Sequence, residues 1–208
     1  MESIVLMSTA YLPPIEYMAL LAKNDSITIE KEETYPKQTY RNRCSILSAN
    51  GTLNLSIPVS KPYGNNTKTK DLVIINSDRW FINHWRAINS AYSGSPFFLY
   101  YQDEIKEFFT GNFDNLLEFN TELTNKLLDL IGIDCKIQYS DSFSIPEYIP
   151  APHDFRFSIS PKKENESGNF GEYIQVFSSK FSFVPNLSII DLLFNLGPET
   201  LSYLKSIY

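Results

Sequence analysis

The sequence has little of the residues that most often carry metal, redox or disulfide chemistry. Its 208 residues include only two cysteines, Cys44 and Cys135, and only two histidines. The cysteines lie far apart without metal-type spacing, so we expect buried thiols and no structural zinc or other metal site. Walker A, dinucleotide-binding and Gly-x-Ser-x-Gly motifs are absent from the sequence. Their absence excludes the commonest nucleotide-binding and hydrolase signatures and leaves any cofactor unknown.

Positive charge and long apolar runs are also scarce. The chain carries 18 Lys and Arg against 24 Asp and Glu, for a net charge of −6. Nucleic-acid-binding domains usually have a basic surface, so we predict no nucleic-acid partner. No stretch approaches the roughly 18 apolar residues of a membrane span, and the first residues lack the cationic start of a secretory signal. We therefore expect a cytoplasmic protein without a membrane span.

What the chain does contain is enough apolar and aromatic material for a substantial core. Hydrophobic residues make up 43 % of the sequence, and there are 15 Phe and 13 Tyr. Tyrosine in that quantity favours half-buried positions and ligand walls, where the ring packs and the hydroxyl finds a polar partner. The length suits a single domain over residues 1–208.

The order of the predicted elements indicates an α/β (mixed α+β) fold with a mixed sheet, a β-hairpin and a helical middle region. A strand, a helix and a second strand near the amino terminus form a βαβ-like unit. The proline-rich segment 140–172 is irregular, and such a segment is either functional or mobile. The main predicted elements are strands at 4–8, 26–30 and 137–139, and helices at 15–23, 77–92, 97–109, 115–131 and 188–197.

A hairpin is predicted around Asn50-Gly51, a dipeptide that favours a two-residue type I′ turn. In that register Ile46 lies opposite Leu55, and Cys44 lies opposite Ile57. Because side chains alternate along a strand, these apolar residues share the buried face.

Cations collect just before the first strand of this hairpin. Lys37, Arg41 and Arg43 should point to the face opposite the apolar one, together with polar neighbours that we include as candidate ligand-binding residues: Gln38, Tyr40 and Asn42. Three cations in an acidic chain suggest a site for a small anion such as phosphate or carboxylate. The alternative is the ordinary polar face of a hairpin, and spacing alone does not separate the two.

His84 is the candidate general acid or base, because only histidine has an unperturbed pKa near neutrality. It lies on the apolar stripe of its helix, so a hydrogen-bonded core histidine is the alternative. Tyr11, at the carboxyl end of the first strand, and Tyr92 are candidates to offer hydroxyls to a ligand, with core positions as the alternative.

Two acidic positions leave further alternatives open. Ser188 and Asp191 have the spacing of a capping box, so Asp191 is interpreted as a helix cap rather than a catalytic acid. Asp154 with Arg156 forms either a local ion pair or part of a lid over a site, and Arg156 is kept as a candidate substrate-binding residue.

Several stretches together resemble the WbqC-like family of bacterial proteins, particularly its members from Bacteroides-like organisms. No single stretch is diagnostic, but six occur in order over nearly the whole chain. They are Ser8-Thr-Ala-Tyr-Leu-Pro-Pro-Ile-Glu-Tyr17, Lys37-Gln-Thr-Tyr-Arg-Asn-Arg-Cys44, Leu55-Ser-Ile-Pro-Val59, His84-Trp85 with Ser95-Pro-Phe-Phe-Leu-Tyr-Tyr101, Asp154-Phe-Arg156 with Pro161-Lys162, and Asn186-Leu-Ser-Ile-Ile-Asp-Leu-Leu-Phe-Asn195 before Gly197-Pro-Glu199.

The resemblance implies a role in making O-antigen or other surface polysaccharides. It leads us to expect a transferase that acts on an anionic substrate, either a nucleotide-linked sugar or an activated acyl donor. The contrasting hypothesis is a non-catalytic binding or scaffold protein of a polysaccharide assembly pathway. Nucleotidyl transfer is a weaker third alternative, because the first turn lacks a histidine pair. The sequence does not predict the oligomeric state.

Overall fold

A computed structural model describes residues 5–143, 153–162 and 169–208. The first residue of the strand predicted at 4–8, and residues 144–152 and 163–168 of the segment predicted to be irregular, lie outside the described residues. The described part confirms the mixed α/β class. Its strands are β1 (Leu6–Met7), β2 (Ser26–Ile29), β3 (Arg43–Ser48), β4 (Gly51–Ser56), β5 (Val59–Ser60), β6 (Val73–Ile74) and β7 (Lys136–Tyr139). Its α-helices are α1 (Ile15–Leu21), α2 (Trp80–Tyr92), α3 (Phe98–Lys106), α4 (Leu116–Ile131), α5 (Ile189–Leu196) and α6 (Thr200–Ser206).

The largest described sheet is parallel and has the strand order β1-β2-β7. β1, α1 and β2 form the predicted βαβ-like unit, with Leu6 paired to Thr28. β7 joins the other side of β2 after a long excursion of the chain, with Ser26 paired to Lys136. Ligands in open parallel sheets commonly bind beyond the carboxyl ends of the strands, so the residues that follow β1, β2 and β7 are of particular interest.

The helical middle packs on this sheet and on the hairpin. α4 buries an apolar stripe that includes Phe119, Leu123 and Leu127. It begins at Asn115, whose side chain accepts a hydrogen bond from the amide of Glu118, and ends at Gly132 in a left-handed conformation. One continuous hydrophobic cluster joins the helices, the sheet and the hairpin. The elements therefore form one compact α/β fold.

The hairpin is present, but its predicted register is wrong by two residues. Ile46 pairs with Leu53 and Cys44 pairs with Leu55, so the two-residue loop is Ala49-Asn50. Gly51, with φ +99°, is the first residue of β4 rather than part of the loop. A type I turn followed by a glycine with positive φ connects strands in this way, and it competes with the type I′ turn that Asn-Gly favours. Because side chains alternate with a period of two, the shift leaves the buried face unchanged.

Two helix N-termini differ from expectation, one in its position and one in its capping contacts. The helix predicted at 77–92 begins later, because the cap residue of α2 is Arg79 with φ +48°, preceded by a short 3₁₀ turn. Ser188 does precede α5, yet its hydroxyl donates to the carbonyl of Leu12 at 2.9 Å instead of capping the helix. The tertiary partner replaces the local one, and Asp191 is left to make other contacts.

Candidate functional site

An open groove lies beside the hairpin and contains four of the predicted ligand-binding residues. Its volume is about 400 Å³. The segment between β2 and β3, both hairpin strands and the residues around β5 form its walls. Ten residues line it: Tyr35, Lys37, Gln38, Asn42, Arg43, Ser56, Ile57, Pro58, Val59 and Lys61. We call this feature the hairpin groove.

The charge of the hairpin groove has one sign. Lys37, Arg43 and Lys61 contribute three cations, and no Asp or Glu is among the lining residues in the described part of the chain. The Arg43 Nε donates to Ser56 Oγ at 3.1 Å, and the Lys61 Nζ donates to Asn65 Oδ1 at 3.0 Å. These partners are neutral, so the cationic charge is not compensated by the described ion pairs. A phosphate or carboxylate can supply that compensation.

The backbone of the hairpin groove contains one strained residue. Gln38 has φ +60°, a conformation that residues other than glycine, asparagine and aspartate seldom adopt. Such a conformation costs energy and persists where surrounding contacts enforce it, often at binding sites. Elsewhere in the groove Asn42 joins two of the walls, because its Oδ1 accepts from the Tyr35 hydroxyl at 2.9 Å while its Nδ2 donates to the Ile57 carbonyl at 2.8 Å.

Arg41 does not belong to this groove, so the prediction of three cations on one strand face is wrong. β3 begins at Arg43, and Arg41 precedes it in a turn with its side chain only 2 % exposed. Its guanidinium forms a bidentate pair with Glu33, with Nε to Oε1 and Nη2 to Oε2 distances of 2.7 Å each. Arg41 therefore has a protein carboxylate where the sequence suggested a ligand.

Arg156 is likewise buried in an ionic network. Its Nη2 lies 2.7 Å from Asp154 Oδ2, and its Nη1 lies 3.2 Å from Glu30 Oε2. The Ser140 hydroxyl donates to Glu30 Oε1 at 2.6 Å. Although burial acts to raise the pKa of Asp154, the hydrogen bonds from Arg156 hold that pKa below its ordinary value. Glu30 and Ser140 follow β2 and β7, so the network occupies the carboxyl edge of the parallel sheet.

This geometry favours the local ion pair over the lid for Asp154 and Arg156. The segment that carries them runs beside β1, because the amide of Leu6 donates to the carbonyl of His153 and the amide of Phe155 donates to the carbonyl of Leu6, each at 2.8 Å. The Arg41 Nη2 also lies 3.4 Å from the carbonyl oxygen of Arg156. The two buried arginines are thus neighbours, although their sequence positions are remote.

His84 is buried in the core and does not line the hairpin groove. Its Nδ1 is 2.8 Å from the Tyr11 hydroxyl, and the backbone of Ser56 offers its ring a second hydrogen bond. Burial lowers the pKa of His84 to about 4, a shift that the bond to Ser56 opposes. The ring is therefore neutral at physiological pH, and its Nδ1 is engaged by the Tyr11 hydroxyl. These contacts support the core-histidine alternative, and a catalytic role stays a prediction.

The remaining tyrosine candidates do not line the hairpin groove. Burial raises the pKa of Tyr11 well above its ordinary value, and burial raises the pKa of Tyr40 to about 12. Tyr40 packs against the core, and its carbonyl accepts from the amide of Tyr11 at 2.8 Å. The fully buried Tyr92 accepts from the amide of Leu47 at 3.2 Å through its hydroxyl.

Asp191 is a buried carboxyl rather than the predicted helix cap. Its Oδ2 accepts from the Tyr173 hydroxyl at 2.6 Å and from Gln175 Nε2 at 3.0 Å. Burial raises the pKa of Asp191, opposed by these hydrogen bonds. The contacts tie the irregular segment around Tyr173 to α5, which is a structural role.

Sequence reasoning missed Lys61 and Glu33. Lys61 was not among the candidate residues, although it directly follows β5 and β5 continues from the hairpin. The missed signal was the short sequence distance from Ser56 to Lys61. Glu33 had no local signal, because a buried pair with Arg41 depends on how the segment between them folds back.

The described residues contain neither a metal-binding cluster nor a membrane-spanning helix. No group of three or more histidine, cysteine, aspartate or glutamate side chains is arranged to hold a metal ion there. Within the same residues, every helix is too short or too polar to cross a bilayer.

Comparison with known proteins supports the resemblance seen in the sequence. The profile of the WbqC-like protein family matches residues 9–149, which include all the residues of the hairpin groove. The chain is also 25 % identical over 232 aligned positions to the uncharacterized protein Rv1507c of Mycobacterium tuberculosis. That similarity covers 99 % of this chain and 98 % of the mycobacterial one. No solved structure matches the chain. Since the family profile covers well over half of its residues, the chain belongs to the WbqC-like protein family.

Proposed function

We propose that this protein binds a small anionic substrate in the hairpin groove and acts as a transferase in the synthesis of a bacterial surface polysaccharide. The substrate is a nucleotide-linked sugar or an activated acyl donor, and the reaction takes place in the cytoplasm. The family supports the polysaccharide context, and the hairpin groove supports the anionic substrate.

The observation that carries the proposal is the convergence of Lys37, Arg43 and Lys61 on one groove in a chain of net charge −6. No Asp or Glu is among the ten lining residues that the structure describes, so these cations have no protein carboxylate within the described groove. Nucleotide-linked sugars carry phosphates, and so do common acyl donors such as acyl-CoA. A guanidinium and two ammonium groups provide charge-assisted hydrogen bonds of the kind that bind phosphate, each worth about 1.5–3 kcal/mol.

A non-catalytic binding protein is the second candidate, and two observations favour it. The histidine predicted as general acid or base is buried, and its Nδ1 is engaged by the Tyr11 hydroxyl. In addition, Leu99 and Tyr100 on α3 are 74 % and 76 % exposed, an apolar pair available to a partner surface. In this alternative the groove binds its anion without transforming it.

A thermal-shift experiment tests the anion site. The purified protein is heated with UDP-glucose, UDP, acetyl-CoA or, as a neutral control, glucose. At about 100 times its dissociation constant a ligand stabilises the native state by about 2.7 kcal/mol. For a chain of this size that corresponds to a rise in Tm of roughly 5–10 °C.

Two arginine variants make the test specific. We expect Arg43→Ala to weaken the dissociation constant of the active ligand about 10- to 100-fold, because one charge-assisted contact is lost. Arg86→Ala removes the same type of side chain from an exposed position that does not line the groove, and it should leave binding unchanged. No shift with any phosphate-bearing compound, or an equal loss in both variants, would contradict the anion site.

Catalysis needs a separate measurement. Transfer of a radiolabelled sugar or acetyl group to a membrane glycolipid extract, abolished in Arg43→Ala and retained in Arg86→Ala, supports the transferase. Ligand binding without any transfer or hydrolysis supports the non-catalytic candidate.

A further inference from the structure

The segment between β2 and β3 carries part of the hairpin groove but has no helix or ladder of its own. Lys37 and Gln38 lie at its exposed tip. A long flexible segment would have to lose conformational freedom whenever an anion bound, which weakens affinity. In the structure, contacts near the two ends of this segment hold it in place instead.

The tie is the buried pair of Glu33 and Arg41, which we call the latch. Its two residues are eight positions apart and are both 2 % exposed, and the bidentate contact joins the beginning of the segment to its end. Thr69 adds to it, because the amide of Thr69 donates to the carbonyl of Glu33 at 2.9 Å. Asn120 Nδ2 donates to the carbonyl of Arg41 at 2.7 Å. Both ends of the segment are therefore attached to the rest of the fold.

Backbone contacts continue the tie toward the tip. The amide of Tyr35 donates to the carbonyl of Thr67 at 3.0 Å, and the carbonyl of Tyr40 accepts from the amide of Tyr11 at 2.8 Å. Gln38, with its positive φ, lies between these two fixed points. A strained backbone conformation persists only where surrounding contacts enforce it. The latch joins the two chain segments that flank Gln38.

A buried ion pair is an inefficient way to stabilise a fold, because desolvation of both charges offsets most of their attraction. Its geometric specificity is a better explanation for its presence, since a planar guanidinium and a carboxylate fix both distance and orientation. We propose that the latch is a positioning device that holds Lys37 and Gln38 in the arrangement that binds an anion in the hairpin groove. This inference rests on the proposed function, because it concerns the affinity of the same groove.

Two latch variants and one matched control test the inference. Glu33→Gln keeps the shape of the side chain but removes its charge, and Arg41→Lys keeps the charge but removes the bidentate geometry. Leu193→Ala lowers the stability of the fold from the buried face of α5, which does not line the groove. Binding of inorganic pyrophosphate is measured by calorimetry, and amide hydrogen exchange is measured for the peptide 34–40 without ligand.

We expect both latch variants to bind pyrophosphate about 10- to 100-fold more weakly and to exchange the 34–40 amides faster. Leu193→Ala should change neither quantity at a temperature where it is folded. Faster exchange with unchanged affinity, or unchanged exchange in both latch variants, overturns the latch. Failure of the wild-type protein to bind pyrophosphate or any other anion contradicts the proposed function instead, and the exchange data still show whether the latch orders the segment.

A measurement on the wild-type protein covers the case in which a latch variant does not fold. The Tyr35 amide should then be protected from exchange to within about tenfold of the Ile57 amide, which bonds to the carbonyl of Asn42 at 2.8 Å. Exchange of the Tyr35 amide at the rate of an unstructured peptide overturns the inference.

Discussion

Acidification should destabilise this protein through His84, and the size of the effect follows from its environment. The folded protein binds a proton at this ring only near pH 4, whereas the unfolded chain binds it near pH 6.5. Between those values the unfolded state takes up the proton and the native state does not. The contribution of the neutral His84 ring to the free energy of unfolding is therefore fully present above about pH 6.5 and is lost as the pH falls toward 4.

The expected loss is worked from the two pKa values. Between about pH 7.5 and about pH 4.5, proton linkage at one such group amounts to about 2.5 kcal/mol of unfolding free energy. A loss of that size is a large fraction of the stability of an ordinary domain. Other titratable groups also contribute to the pH dependence of stability. A variant of His84 alone is needed to isolate the contribution of this residue.

His84→Asn provides that variant, because its amide oxygen lies near the former Nδ1 and can accept from the Tyr11 hydroxyl. Urea unfolding of both proteins at the two pH values gives the assay. We expect the variant to be less stable near neutrality, since the bond to Ser56 is lost, but to lose about 2.5 kcal/mol less on acidification. Equal pH dependence in the two proteins would refute the lowered pKa and reopen His84 as an accessible titrating group.

Two further predictions concern stability measured by urea denaturation. Gly197→Ala should cost about 2–3 kcal/mol, because the glycine has φ +53° and an added Cβ would lie 2.5 Å from the Phe97 ring. Gly94→Ala, where no atom lies within 4 Å of the added carbon, should change stability by less than about 0.5 kcal/mol; comparable losses in both would be inconsistent with this steric reasoning. Asp191→Leu should cost about 2–3 kcal/mol of unfolding free energy, because it removes the carboxylate that accepts from the Tyr173 hydroxyl and the Gln175 side-chain amide. Asp191→Asn keeps an acceptor oxygen and should cost less than about 1 kcal/mol. If the leucine variant is as stable as the asparagine variant, those hydrogen bonds do not hold the segment around Tyr173.

The sequence predicted the elements well where local periodicity governs them. α4 was expected at 115–131 and is observed at Leu116–Ile131, because an apolar stripe, a capping asparagine and a closing glycine all agree. The βαβ-like unit at the amino terminus is also confirmed. The hairpin was predicted in the right place but in the wrong register, since two turn geometries compete for the same dipeptide.

The charged residues were harder to predict, because their partners come from distant segments. Arg43 lies on the strand face opposite to that of the buried Cys44, as the alternation of side chains along a strand predicts. Arg41, two residues earlier, lies before the strand begins, so alternation did not apply to it. Whether a cation faces solvent or a buried carboxylate depends on the whole fold, and neither Glu33 nor Glu30 carries a local pattern that marks it as a buried partner.

Caps and single polar residues failed in a similar way. Ser188 has the right spacing to cap α5, yet the carbonyl of Leu12 competes successfully for its hydroxyl. His84 was correctly placed on an apolar helical stripe, and its hydrogen-bond partners required the structure. A pattern along the chain therefore constrains the direction of a side chain better than it identifies the atom that side chain meets.

The parallel pairing of β2 with β7 also constrains how the chain can fold. The two strands are adjacent in the sheet, but the hairpin and three helices lie between them in sequence. Contacts between such remote segments close large loops and slow folding, so completion of this sheet is expected late. Until β7 arrives, the outer edge of β2 is an open template for pairing with another chain. Fragments that end before Lys136 should therefore aggregate more readily than the full chain.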